Sequence, residues 1–326
     1  MRDITVVGGV TQDIFFISPN FDIQDDKLRF TWGEKFVVDD MFLSPGGGGA
    51  NAAVGFSRLG ISTALWARLG NDIFGCSIKE VLEKEGVNTD FLEVDRYCKT
   101  AISTLMSGPR GERSIVMYRG KADLLNTSII KNDDFWQTQW LYIGDLTGDL
   151  SSFQDSLFAK AKQKNIKVVF IPGHHQLDLG AKRLAKVLDN VDVLILNLYE
   201  ACKLLNEPYL EYEQTATDEL TMKRVEELMS KLADFGPKIV AVTKGPDGVQ
   251  AFDGCKFYHH APPNVPVPTD TTGAGDSFSC GFVAGLVKDL TFEQCLDLGV
   301  ANSGSVISQY GAQPGLLTQK QAAELK

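Results

Sequence analysis

The sequence predicts an α/β fold: a three-layer α/β/α domain over residues 1–326 with a mostly parallel central sheet, plus a small β-sheet lid from about 13–43 and 91–120. Three observations predict it. From residue 152 onward, continuous apolar runs alternate with helix-like stretches, the pattern of a parallel sheet covered on both faces. The two earlier segments carry short apolar runs between Pro, Asn, Asp and Gly, with no helix long enough for a parallel crossover. The chain has 326 residues, 44% hydrophobic and 23% charged, without internal repeat or low-complexity linker, which suits one large globular domain with a small appendage.

The first strand is 4–9, too short and too early to be a signal-peptide core. Runs 14–17, 28–30 and 36–38 form the first lid excursion, bounded by turn residues. The glycine-rich stretch from Pro45 to Ala53 leads into a helix over 54–59 that ends at Gly60. A strand over 62–68 and a helix over 73–85, closed by Gly86, follow. Runs 101–106 and 114–118 form the second excursion, with Pro109-Arg110-Gly111 as a hairpin turn. Three helix–strand units come next: 152–164 into 168–172, 179–188 into 191–196, and 219–233 into 239–242. Two helices, 274–288 and 292–309, complete the domain.

Composition excludes several classes. The formal net charge of -10, with no Lys/Arg-rich run, argues against nucleic acid, whose binding needs basic residues to neutralise phosphates. No apolar run reaches the roughly 18 to 20 residues of a membrane helix, so a cytoplasmic protein is expected. The six cysteines are scattered without a Cys-x-x-Cys pair and read as reduced packing thiols. His174-His175 and His259-His260 lack zinc-ligand spacing.

The most informative motif is Asp270-Thr271-Thr272-Gly273-Ala274-Gly275-Asp276, followed by a helix rich in small residues. Gly273 and Gly275 permit a tight turn whose N–H groups point one way at a helix start, forming an anion hole. Asp276 falls in the first turn, where it could accept the proton of an attacking hydroxyl. Read alone, the same tetrad also makes an ordinary turn with an Asp cap. Gly46 to Gly49 expose backbone for close ligand approach, and Asn51 suits sugar hydroxyls; a flexible loop before a packed helix is the plainer alternative. Asp13 follows the first strand, where its carboxylate could accept hydroxyl hydrogen bonds. Asn197 to Glu200 and Thr243 to Gly248 each follow an apolar strand, the edge at which α/β sheets bind ligands. There is no P-loop, protein-kinase catalytic loop, Gly-x-Gly-x-x-Gly opening or Gly-x-Ser-x-Gly elbow, which removes support for dehydrogenase and hydrolase readings.

Together these segments resemble the ribokinase family, also called the PfkB carbohydrate kinases, over nearly the whole chain and in the family's order. Residues 47–51 resemble its first signature and 270–278 its second; 197–200 resemble its Asn-x-x-Glu motif and 243–248 its Thr-x-Gly-x-x-Gly loop. The resemblance implies a ribokinase-like fold and ATP-dependent phosphorylation of a hydroxyl on a sugar or sugar acid. It implies Asp276 as catalytic base and Gly273, Ala274 and Gly275 as anion hole. Asp13, Gly47, Gly48 and Asn51 would hold the substrate. Asn197, Thr243, Gly245, Gly248 and Asn302 would serve ATP, with Asn302 near the adenine. Glu200 would act on Mg²⁺ through water, and Asp270 and Thr272 on a monovalent cation, K⁺ in activated members, with 311–314 as the other half of that loop. The helix N-terminus should depress the pKa of Asp276 and leave it an ionised, weak base.

Departures shape the substrate expectation. Gly48 stands where ribokinases usually carry Lys, which turns the reading away from ribose. Residues 111–114, Tyr118-Arg119 and 122–124 resemble fructokinases and 2-keto-3-deoxygluconate kinases. Arg119 either binds an anionic sugar acid or is a lid-surface charge. The alternative within the family is a nucleoside kinase, with Phe15, Phe16, Phe30, Trp32 and Phe36 as candidates to stack on a base. A catalytically dead sugar binder is a third reading, opposed by the retention of Asp276, both glycines and Glu200. Exposed lid strand edges imply a homodimer through the lid.

Overall fold

The computed structural model describes residues 1–24, 27–108, 113–120, 125, 127–145, 151–209, 219–265 and 267–325, without the side chains of 151–154 and 219–220. The nine-stranded sheet runs Phe257–His260, Val249–Phe252, Ile239–Thr243, Val193–Asn197, Lys167–Phe170, Thr138–Ile143, Arg2–Val7, Thr63–Gly70 and Leu92–Asp95. All of it is parallel except the Val249–Phe252 and Phe257–His260 hairpin at one edge. Ile4, Val6, Leu65, Val193, Ile195 and Ala241 face the helices Gly48–Arg58, Ile73–Lys84, Ala274–Val287 and Phe292–Ile307. Val7, Trp66, Leu141, Ile143, Leu194 and Val242 face the helices Ser151–Gln163, Ala181–Leu188, Leu198–Leu205 and Glu219–Ala233. Burial on both faces is why these strands read as unbroken apolar runs.

A second sheet has the order Asp40–Gly46, Thr11–Ile17, Ala101–Ser107, Arg113–Tyr118. Register puts Asp13 opposite Ser44 and Ser103, and Ser103 opposite Met117, on one face. The other face carries Ile14, Phe16, Met41, Leu43, Val116 and Tyr118, of which the last four are each about half exposed or more. The face with Asp13 mixes these polar groups with buried Phe15 and Leu105, whereas the other is largely apolar and its outer strands are exposed.

Several elements differ from their sequence-based expectation. Leu92–Asp95, expected in the lid, pairs with Thr63–Gly70 at the edge of the large sheet. In the first excursion 14–17 lies in the Thr11–Ile17 strand, its long partner is Asp40–Gly46, and 36–38 lies outside any strand. The first helix starts at Gly48, within the glycine run. The expected helix 179–188 is two, His174–Leu179 and Ala181–Leu188, parted at Gly180 with φ 73°. The turn expected at 109–111, and 111, 112 and 122–124 of the lid resemblance, lie outside the described residues. Among the described residues no helix is long and apolar enough to cross a membrane.

The chain leaves Arg2–Val7 for Thr63–Gly70 on one side and later returns to Thr138–Ile143 on the other. This reversal of strand order opens a crevice at the carboxyl ends of the two central strands, where ligands of open α/β sheets bind.

Candidate active site

Two glycine-capped helix starts meet at that crevice. Gly47 precedes the Gly48–Arg58 helix with φ 86°, and Gly273 precedes the Ala274–Val287 helix with φ 76°, both in the left-handed region. Neither cap supplies a side-chain acceptor; Gly49 N donates to Gly9 O at 3.0 Å and Ala274 N to Thr271 O at 3.3 Å, which leaves only part of each first turn's N–H set for a ligand. The helices pack side by side because Gly55 has no side chain: a Cβ there would lie 2.5 Å from Cys280 Sγ. That contact brings Asn51 to Asp276.

Asn51 Nδ2 donates to Asp276 Oδ2 at 2.8 Å, and Gln313 Nε2 donates to Asn51 Oδ1 at 3.2 Å. Expected to hold substrate, Asn51 thus first positions the carboxylate. A Cβ on Gly48 would stand 3.4 Å from Asp276 Oδ1, and one on Gly275 would meet nothing within 4 Å. Open space therefore adjoins the anion-hole glycine. Burial raises the pKa of Asp276, and the Asn51 hydrogen bond pulls it partly back. The value is thus raised where a depressed one was expected, because the carboxylate is desolvated.

Asp13 is buried on the second sheet, and Thr11 Oγ1 donates to its Oδ1 at 2.8 Å. Burial pushes its pKa up to about 6; hydrogen bonds from Thr11 and Ser103 oppose this, and the charges of Asp276 and Asp270 add to it. A cavity of about 160 Å³ lies between the sheets, lined by Thr11, Gly47, Gly48, Met117, Arg119 and Asp145 among others. Arg119 Nη1 approaches Asp145 Oδ2 at 3.6 Å, while Asp145 Oδ1 is buried without a hydrogen-bond partner among the described residues. Sequence reading missed Asp145. Its signal was the apolar end of Thr138–Ile143 followed by Gly144, a strand edge like the others.

Of the residues expected to serve ATP, Asn197 and Thr243 are register partners at the ends of adjacent strands. Asn197 N donates to Glu200 Oε2 and Glu200 N to Asn197 Oδ1, both at 2.8 Å, a reciprocal capping box. Burial raises the Glu200 pKa, with Asp276 and Asp145 adding to it and the Asn197 hydrogen bonds opposing. Gly245 faces open space with φ 57°, as a phosphate loop requires. Gly248 does not: a Cβ there would lie 2.2 Å from His260 O, so it forms the turn and packs on 260–262. Asn302 is fully buried, its Nδ2 donates to Ser277 O at 2.7 Å, and Leu317 N donates to its Oδ1 at 2.9 Å. Its amide ties the last two long helices to the segment that follows them.

Asp276, Glu200 and Asp145 form a field of negative charge that fits a divalent cation. Among the described residues no group of three acidic, His or Cys side chains could hold a metal directly. The residues therefore fit Mg²⁺ carried on phosphates and water. A monovalent cation at Asp270 fits poorly. Asp270 Oδ1 already accepts from Thr272 N at 2.9 Å and Thr272 Oγ1 at 2.7 Å, and Oδ2 from Gly311 N at 3.0 Å. The Arg113 guanidinium also stands 3.8 Å from Oδ1.

Comparison with known proteins agrees with this architecture. The model of the family described as pfkB family carbohydrate kinase matches residues 1–319. A protein of Archaeoglobus fulgidus described as an uncharacterized sugar kinase is 29% identical over 270 residues, 81% of this chain and 98% of its own. A fructokinase of Klebsiella pneumoniae is 31% identical over 250 residues, 74% of this chain and 76% of its own. Ribokinase of Cryptococcus neoformans, solved with ADP, superposes with a TM-score of 0.79 at 25% identity over 99% of both chains.

Proposed function

Because the chain belongs to the pfkB family of carbohydrate kinases, we propose that this sugar kinase transfers the γ-phosphoryl group of ATP to a hydroxyl of a neutral monosaccharide. The observation that carries the reading is Asp276, held by Asn51 beside open space at the Gly273–Gly275 turn. In the step, the sugar hydroxyl oxygen bonds to the γ-phosphorus as the bond to the β–γ bridging oxygen breaks. The hydroxyl proton passes to Asp276, and ADP leaves. The raised pKa of Asp276 makes it a better proton acceptor than an ordinary carboxylate. N–H groups of the Gly273–Gly275 turn would face the charge on the transferring group, with that of Ala274 first released from Thr271 O. Mg²⁺ on the ATP phosphates would neutralise further charge, with Glu200 oriented toward its water shell.

Asp13, Gly47, Gly48 and Asp145 would receive the sugar, and Thr243, Asn197 and Gly245 the nucleotide phosphates. A cavity of about 160 Å³ suits one sugar ring better than a nucleoside. None of the aromatic side chains that favoured a nucleoside lines that cavity. Phe15 stacks on Phe42 at 4.3 Å, Phe30 and Phe36 pack on Phe21, Phe16 lies on the outer face of the small sheet, and Trp32 is fully exposed. Arg119 faces Asp145, which leaves less charge for a sugar acid. The small sheet then acts as the lid, and its uncovered apolar face supports a homodimer through it.

Mg-ATP turnover across fructose, ribose, 2-keto-3-deoxygluconate, adenosine and inosine tests the reading, with Asp276→Asn as control. One neutral sugar should turn over, and the variant should lose about 10²- to 10⁴-fold while still binding it. Preference for the sugar acid, or for a nucleoside, would overturn the substrate class. Sugar binding without turnover in the wild type would leave a binding protein.

A further inference from the structure

We infer that Arg113 is a positioning residue: it supplies, at Asp270, the positive charge that holds the anion-hole loop, so that turnover needs no monovalent cation. The inference rests on the kinase reading above. Asp270 is 2% exposed, and an ionised carboxylate in such a place requires a cation or a full set of donors. Its hydrogen-bond donors are neutral: Thr272 N and Oγ1 on one oxygen, Gly311 N on the other. They tie two loops together, and the loop beyond Gly311 presses on the anion hole directly, since a Cβ on Gly273 would lie 2.4 Å from Ala312 Cβ.

The cation arrives from another part of the molecule. Arg113 begins the Arg113–Tyr118 strand of the small sheet, on the face that carries Asp13 and Ser103. Its Nη1 donates to Thr271 Oγ1 and lies 3.8 Å from Asp270 Oδ1. One guanidinium therefore grips both residues that precede Thr272 and Gly273. A planar, permanently charged and weakly hydrated group does this from within the chain, whereas K⁺ must be recruited from solution. A second cation beside it would meet like-charge repulsion and a carboxylate whose oxygens are already engaged. Because Arg113 belongs to the small sheet, the same contact links the position of that sheet to the order of the anion hole.

The test compares wild type, Arg113→Lys and Arg113→Ala in KCl and in tetramethylammonium chloride at equal ionic strength. Wild-type kcat should change less than about 2-fold between the salts, and Arg113→Ala should lose ~10- to 100-fold in kcat, with sugar KM nearly unmoved. KCl should restore part of the loss, and Arg113→Lys should retain activity without K⁺. Melting temperature gives a readout independent of turnover. KCl should leave the wild type unmoved and raise Arg113→Ala, as a ligand filling the vacated charge would. Strong K⁺ stimulation of the wild type, or an Arg113→Ala protein as active and as salt-blind as wild type, would overturn the inference. If no sugar turns over, the kinase reading fails on that result, and equal melting temperatures for wild type and Arg113→Ala in both salts would separately overturn the role of Arg113.

Discussion

Two helix starts use the same residue types, a glycine and an aspartate, to opposite ends. At the Ile73–Lys84 helix, Asp72 is the N-cap: its carboxylate accepts from Gly75 N at 2.9 Å, Thr100 N at 2.8 Å and Thr100 Oγ1 at 2.7 Å. Burial works against its charge, but these bonds outweigh it and its pKa is lowered. At the Ala274–Val287 helix no side chain caps the N-terminus, Asp276 takes one hydrogen bond from Asn51, and burial raises its pKa. The glycines differ in parallel. A Cβ on Gly75 would lie 2.0 Å from Gly70 O, whereas one on Gly275 would meet open space. A helix end with every donor and acceptor satisfied is structural; one that leaves them unsatisfied at a strand edge is held ready for a ligand.

The largest expected effect exchanges the roles of those glycines. Gly75→Ala forces a side chain into backbone and should cost about 3 kcal/mol or more, read by denaturant unfolding, with turnover per folded molecule near wild type. Gly275→Ala should fold with undiminished stability, since Ala is the better helix former. It should nevertheless lose ~10²-fold or more in kcat, because the methyl occupies the space assigned to the phosphoryl group. If Gly275→Ala turned over normally, that space would not be the phosphoryl site and the comparison would break.

A smaller effect sharpens the comparison through pH. Structural carboxylates such as Asp72 and Glu85 have lowered pKa values, whereas Asp13, Glu200 and Asp276 have raised ones. The Asp13 pKa of about 6 lies above its ordinary 3.8, so between those values the folded protein holds a proton that the unfolded chain releases. Its contribution to stability therefore grows as pH falls from about 6 toward 4, by up to about 3 kcal/mol. Turnover should fall over the same window, as Asp13 ceases to be a full acceptor. Relative to Asp13→Asn, the wild type should gain melting temperature on acidification. Parallel curves for the two proteins would remove Asp13 from the account.

The glycine and aspartate of the second signature were legible because they are contiguous in sequence, and the order of motifs along the chain carried the fold. What stayed hidden is long in sequence and short in space. Asn51 meets Asp276 across 225 residues, and Arg113 meets Thr271 across 158. The dipole of a helix end can be read from a motif, but the burial that overrides it at Asp276 depends on how two helices pack. The clamp of Asn302 on Ser277 and Leu317 was hidden for the same reason, since it exists only after the chain folds back. Thr138–Ile143 was unread because polar residues open it, and Asp145 was lost with it.

The smallest effect bears on a motif with two readings, Asn197 to Glu200. As a capping box it closes the Leu198–Leu205 helix in the manner of Asp72, yet Glu200 also carries the raised pKa of the site group. Two substitutions separate these roles. Asn197→Ala removes the cap and should cost about 1 kcal/mol. Glu200→Gln keeps the box, because a glutamine side chain at that position reaches the same N–H group, and it removes only the charge. Its melting temperature should stay within about 1 °C of wild type. If the charge orients water on Mg²⁺, the Mg²⁺ concentration for half-maximal rate should rise severalfold, since the glutamine amide is a weaker partner for hydrated metal than a carboxylate. An unchanged Mg²⁺ dependence in that stable variant would assign Glu200 to the closed class of helix start, leaving Asp276 and the ATP phosphates to hold the metal's water alone.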